Sequence, residues 1–209
     1  MGKRWLILCM GLWAAGIFAS ERQSPNIVIL FADDLGYGDL GSYGNPYIRT
    51  PYLDQMAAEG QRWTDFYVAS PVCSPSRGAL LTGQHSVKTG LYGEKINVFH
   101  PEDPNGIPSA LMTLPEALEP LGYTSAIMGK WHLGDEDPYQ PHKRGFDEAF
   151  IHGAGGIGQA FKCSCADAPG NKYFDPVVRH NGSFVKTKGF CTDVFFTAAM
   201  GWIKAKKDG

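Results

Sequence analysis

The 209-residue sequence predicts an α/β fold, a largely parallel sheet with helices on both faces, and three observations carry that expectation. Residues 26–31 form an unbroken apolar run rich in branched side chains, the pattern of a strand buried on both faces. Strand-like runs at 63–68 and 123–128 alternate with helix-start and helix-stop signals. The last element places Val194, Phe195, Ala198, Ala199, Trp202 and Ile203 at helical spacing. A content of 44% hydrophobic and 19% charged residues is an ordinary globular balance, which excludes collagen-like, disordered and polytopic membrane classes. Lys+Arg 19 against Asp+Glu 21 gives a formal net charge of -2, so no basic field recruits nucleic acid or anionic lipid. Any anionic ligand must be captured locally.

The chain opens with Lys3 and Arg4 ahead of an apolar stretch shorter than a membrane span, which predicts a secretory signal peptide over 1–20 and a mature chain over 21–209. An N-terminal membrane anchor is the alternative. Export implies an oxidising compartment for Cys73, Cys163, Cys165 and Cys191. Cys163 and Cys165 are too closely spaced to pair comfortably, so Cys191 is expected to join one of them. Asn181-Gly182-Ser183 is a glycosylation sequon.

The elements follow in order. The first predicted strand ends at Asp33-Asp34, and ligand crevices of open α/β sheets lie beyond the carboxyl ends of strands. Paired carboxylates there suit a hard divalent cation such as Ca²⁺ or Mg²⁺, whereas a solvated turn is the plainer explanation. Thr50 caps and Pro51 opens a helix through Ala58, closed by Gly60. The strand at 63–68 leads to Cys73-Ser74-Pro75-Ser76-Arg77, where Pro75 suits the first turn of a helix and sets Cys73 and Ser74 at its positive end. Backbone N–H groups at such an end hold an oxyanion or an anionic nucleophile; otherwise Cys73 is a small buried hydrophobe. Its spacing to Arg77 is too short for the phosphate-wrapping loop of a cysteine phosphatase.

Thr113-Leu114-Pro115-Glu116 has capping-box spacing, and its helix ends near Gly122. The strand at 123–128 runs into Gly129-Lys130-Trp131-His132, and on an extended segment Lys130 and His132 point to one side. A cation beside a titratable imidazole suits oxyanion binding and protonation of a leaving group. Residues 142–190 read as loop apart from a strand at 176–179. The glycine-rich 153–158 is not a dinucleotide motif, since no strand is predicted before it and no helix after it. Lys204, Lys206 and Lys207 at the end of the last helix suit its dipole.

Together, Asp33-Asp34, Cys73-Ser74-Pro75-Ser76-Arg77 with the following Leu80-Leu81-Thr82-Gly83, and the segment from Gly122 to His132 resemble the formylglycine-dependent sulfatases of the alkaline phosphatase superfamily. The resemblance runs from about Asn26 to the end of the sequence. It implies a mixed, largely parallel sheet with helices on both faces and hydrolysis of sulfate esters, arylsulfatase-like. By resemblance, a maturation enzyme converts Cys73 to formylglycine, whose hydrated aldehyde supplies the nucleophilic oxygen. Asp33, Asp34 and the converted Cys73 match ligands of a divalent cation, usually Ca²⁺. Arg77 matches the arginine that holds the hydrate, Lys130 the lysine on the sulfate oxygens, and His132 the histidine assisting turnover; Lys130 and His132 thus also bind substrate. The family pattern continues with an Asp followed by Asn or His and with another His and Lys, all downstream of the last helix, so the chain is expected to be the N-terminal portion of a sulfatase. The implied partners are a small-molecule or glycan sulfate ester and the maturation enzyme, with no nucleic acid and no membrane after signal cleavage. The implied location is secreted, periplasmic or lysosomal. Two alternatives stand beside this: a phosphonate or phosphodiester hydrolase of the same superfamily, and a non-catalytic relative lacking the cysteine modification.

Overall fold

The computed structural model describes residues 24–92, 98–100, 103–159 and 167–207. The predicted signal peptide, Cys163 and Cys165 lie outside them. Two compact units, Met1–Arg49 and Thr50–Gly209, divide the chain.

In the first unit the apolar run 26–31 joins no sheet among the described residues, and Ile27, Val28, Ile29 and Leu30 are each more than half exposed. This corrects the expectation of a strand buried on both faces. Branched side chains bias the backbone towards extended conformation, but a buried strand also needs a ladder and a cover for each face. The same holds for 63–68, where Trp63, Phe66, Tyr67 and Val68 are exposed. After Asp34 the first unit turns through short 3-10 segments, Tyr37–Asp39 and Gly41–Tyr43, with Asn45 Oδ1 accepting from the Tyr47 and Ile48 amides at 2.8 and 2.7 Å.

The second unit opens with α1, Pro51–Glu59, whose ends match the sequence signals: proline at the first position and Gly60 as C-cap. Helix α2 spans Cys73–Thr82 and ends on Gly83. Helix α3, Leu114–Leu118, carries the predicted capping box: the Thr113 amide donates to Glu116 Oε2 at 2.7 Å and the Glu116 amide to Thr113 Oγ1 at 3.4 Å. A 3-10 turn, Glu119–Leu121, carries it to Gly122, in the left-handed region at φ 82.

Four described strands form one mixed sheet in chain order: β1 Ala126–Lys130, β2 Glu148–His152, β3 Val177–His180 and β4 Ser183–Lys186. β1 and β2 are parallel, with Lys130 opposite His152; β2–β3 and β3–β4 are antiparallel. β2 and β4 correct the expectation that 142–190 is loop apart from 176–179. Neither strand has the long alternating pattern that marks one in sequence. Asn181 (φ 45) and Gly182 (φ 90) make the two-residue turn between β3 and β4, both in the left-handed region that an Asn-Gly pair adopts readily.

Alternation along β1 and β2 builds a core on each face of the sheet. Ile127 and Ile151 face a cluster of Leu91, Phe99, Ile107, Trp131, Leu133 and Phe146, with Leu81 of α2 packed against it. Met128 and Phe150 face Ile157, Val178, Cys191 and Phe195. The last two belong to α4, Cys191–Lys206, which presents Phe195 to the Phe150 ring at 6.0 Å. Helices thus contribute to both faces. Cys191 is buried and its side chain packs as core against Ile157 and Val178, while Cys163 and Cys165, its expected disulfide partners, lie outside the described residues.

Candidate active site

The chain reaches α2 through Val72 in extended conformation (φ -124, ψ 158), and Cys73 is the first helical residue, as Pro75 predicts. Cys73 is a partly exposed free thiol, while Ser74, Pro75 and Ser76 are buried beneath it. Its position at the helix start places it in the positive end of the peptide dipoles. Arg77 lies one turn further on and its Nη1 donates to the Lys130 carbonyl at 2.8 Å. That bond fastens the start of α2 to the carboxyl end of β1.

Beyond Lys130 the backbone stays beside the end of β2: the Trp131 amide donates to His152 O at 2.9 Å and the His132 amide to Gly153 O at 2.8 Å. His132 itself has φ 57, so strand alternation stops there. The expectation that Lys130 and His132 point to one side of an extended segment is thereby corrected, because the rule requires extended backbone at both residues. A left-handed non-glycine residue is uncommon and is held only where its surroundings determine it. His132 is buried, its Nε2 lies 2.7 Å from the Phe99 carbonyl, and the Phe99 amide donates to Ser74 Oγ at 3.1 Å. Trp131 anchors the segment from below, donating Nε1–H to Tyr139 O at 2.9 Å within the core.

Ser74, Phe99 and Gly155 border the candidate site, and the sequence alone does not mark them. Ser74 was visible only as a motif neighbour, and Phe99 acts through its backbone, which leaves no side-chain signal. Gly155 packs on the imidazole: a Cβ there would sit 2.9 Å from His132 Cε1. The glycine-rich stretch around it does follow a strand, β2, contrary to the sequence expectation; no helix follows among the described residues up to 159. This loop is held from behind by buried Asp167, which accepts from the Gly158 amide at 3.2 Å and from Asn171 Nδ2 at 2.7 Å. Burial pushes the Asp167 carboxyl above its ordinary range, against the pull of those donors.

Asp33 and Asp34 lie in the first unit, with Asp34 at φ 56, a conformation Asp tolerates better than most residues. Among the described residues no three His, Cys, Asp or Glu side chains gather as a metal-binding group. By donor chemistry the two carboxylates fit a hard cation such as Ca²⁺, whereas the free Cys73 thiol is a soft donor that does not.

The sulfatase family model matches residues 25–208. The chain belongs to the sulfatase family. The N-acetylgalactosamine-6-sulfatase of Sus scrofa is 49% identical over 152 residues, which cover 70% of this chain and 29% of that protein. Arylsulfatase A of Bos taurus is 52% identical over 135 residues, 64% of this chain and 26% of that protein. A solved structure shares the fold: BT4656 in complex with its substrate D-glucosamine-2-N,6-O-disulfate superposes with a TM-score of 0.66 at 29% identity, covering 87% of this chain and 31% of that chain. The chain therefore spans less than a third of the length of these proteins.

Proposed function

We propose that this chain carries the nucleophile end of a sulfate-ester hydrolase. The observation that carries this is the Arg77 Nη1 bond to the Lys130 carbonyl, 2.8 Å long, which brings the Cys73–Arg77 and Lys130–His132 segments together across 53 residues of sequence. Support comes also from the family match and from relatives that are sulfatases.

In this proposal Cys73 is converted by a maturation enzyme to formylglycine, whose hydrate supplies an oxygen nucleophile and, through its second hydroxyl, a route to expel sulfate. The helix start beneath it favours negative charge at that oxygen. Arg77, whose guanidinium is always charged, offsets charge at the hydrate from a position fixed by its bond to Lys130. Lys130 binds sulfate oxygens as a point cation, and His132 moves a proton at the hydrate or at the leaving oxygen. Asp33, Asp34 and the converted Cys73 would hold a divalent cation, most suitably Ca²⁺, which when bound would supply positive charge to offset developing anionic charge. The substrate class is a sulfated sugar or aryl sulfate, in keeping with relatives named for such substrates. The segment at 1–20 directs the protein out of the cytoplasm; among the described residues no helix is long and apolar enough to cross a membrane.

The test is mass spectrometry of the peptide containing Cys73 from the full-length protein, made together with a maturation system, followed by sulfate release from an aryl sulfate and from a sulfated monosaccharide. The expected result is the formylglycine mass and turnover of at least one substrate. An unmodified thiol would refute catalysis by this route, and faster cleavage of a phosphodiester than of either sulfate would reassign the substrate class.

A further inference from the structure

We propose that Ser74 is a positioning residue for His132, acting through the peptide groups of Phe99. The Ser74 side chain is fully buried, at 0% exposure, and its Oγ accepts the Phe99 N–H at 3.1 Å. The carbonyl of the same residue meets His132 Nε2 at 2.7 Å. A carbonyl oxygen only accepts, so Nε2 carries the proton, and whenever the ring is neutral its lone pair lies at Nδ1. Phe99 is thus fixed at its amide by the nucleophile helix and at its carbonyl by the imidazole, while its ring is anchored in the core with Leu91, Ile107 and Trp131.

A serine in the first turn of a helix usually bonds to its own local backbone. Ser74 instead reaches a residue 25 positions away in sequence. The consequence is that one turn of α2 does two things: it presents Cys73 and, from the next residue, sets the tautomer of the histidine that is to exchange protons beside it. Loss of the hydroxyl frees the Phe99 peptide to rotate, and Nε2 then loses the acceptor that selects its proton. The claim deepens the sulfatase proposal and rests on His132 acting as its proton-transfer group.

The decisive measurement is the tautomer of His132 by long-range ¹H–¹⁵N correlation in histidine-labelled full-length protein, for wild type, Ser74→Ala and Ser74→Thr. Wild type is expected to show protonated Nε2 and a pyridine-type Nδ1. Ser74→Ala is expected to show a mixture of both tautomers, and Ser74→Thr, which keeps the hydroxyl, the wild-type pattern. In turnover of an aryl sulfate, Ser74→Ala should lose roughly 10- to 100-fold in kcat, the usual range for residues that orient a functional group from behind, with a displaced pH profile and little change in KM. A wild-type Nδ1–H tautomer, an unchanged tautomer in Ser74→Ala, or a Ser74→Ala protein that does not fold would each overturn the proposal. The spectrum needs no turnover: an inactive wild type with the expected tautomers would refute the sulfatase proposal and remove the catalytic role of Ser74 but not its geometry, whereas an active wild type with the wrong tautomer would refute only the relay.

Discussion

His132 is held by contacts on several sides: its amide on Gly153, its Nε2 on Phe99 and the face of its ring against Gly155. Gly155→Ala would place a methyl 2.9 Å from His132 Cε1 and 2.8 Å from Gln159 Oε1, and the rigid ring has to move. Kinetics on the full-length protein should show kcat lower by about 10-fold or more, since displacement of a reacting group by a fraction of an ångström is costly; wild-type kcat would show that the ring tolerates it. Cys73→Ala should abolish turnover yet leave the melting temperature nearly unchanged, because the side chain is partly exposed at a helix start and anchors no core. Retained turnover in that variant would remove Cys73 from the chemistry. Cys73, Arg77, Lys130 and His132 stand out as candidates in sequence because they are side chains of reactive type at distinctive spacing. The Phe99 carbonyl and the bare Cα of Gly155 do not, since a peptide group and an absent side chain leave no pattern to read.

Among the elements, α3 depends on a buried guanidinium. Arg144, 2% exposed, donates to Glu116 Oε1 at 3.0 Å and to the carbonyls of Ile107 and Leu111 at 2.9 and 2.5 Å, while the Arg144 carbonyl accepts from Thr113 Oγ1 at 2.9 Å. Burial pushes the Glu116 carboxyl up, but the Arg144 bond, the Thr113 amide and the guanidinium charge outweigh it and hold the group below its ordinary value of 4.5. The folded state therefore prefers the carboxylate: its stabilising share is present above that ordinary value and is lost as pH falls through the lowered one. Melting curves of wild type and Glu116→Gln should converge as pH drops below about 4; a constant gap would remove the linkage. Arg144→Met should destabilise by about 3–5 kcal/mol, because it leaves a carboxylate and several carbonyls without their donor. The capping box was visible in sequence, yet its partner was not, lying 28 residues away in a stretch read as loop. The β3–β4 hairpin was hidden in a similar way: Asn181-Gly182 was noticed as a sequon, while the same pair is the turn. Asn181 Oδ1 accepts from the Ala149 amide at 2.7 Å, and Gly182→Ala should cost roughly 1 kcal/mol of stability, measured by denaturant unfolding.

For the whole molecule, the sheet's class was legible because the capped helices α1 and α3, the amphipathic α4 and the apolar β1 each follow their local rules. The apolar runs at 26–31 and 63–68 did not become strands, because apolar content specifies a burial preference and not the neighbour that satisfies it. The proposed cation binding also belongs to this scale. If Asp33, Asp34 and converted Cys73 share an ion, Ca²⁺ at about 100 times its Kd should stabilise the matured full-length protein by about 2.7 kcal/mol, and the Cys73→Ala form less. Thermal melts with and without Ca²⁺ decide this; equal shifts in both forms would place the ion elsewhere. The order β1-β2-β3-β4 has one more consequence. β2 and β3 already have neighbours on both sides, so this sheet can widen only past β1 or past β4. A strand laid parallel to β1 on its outer side would finish beside Lys130, and its own last residues would border the carboxyl end of β1.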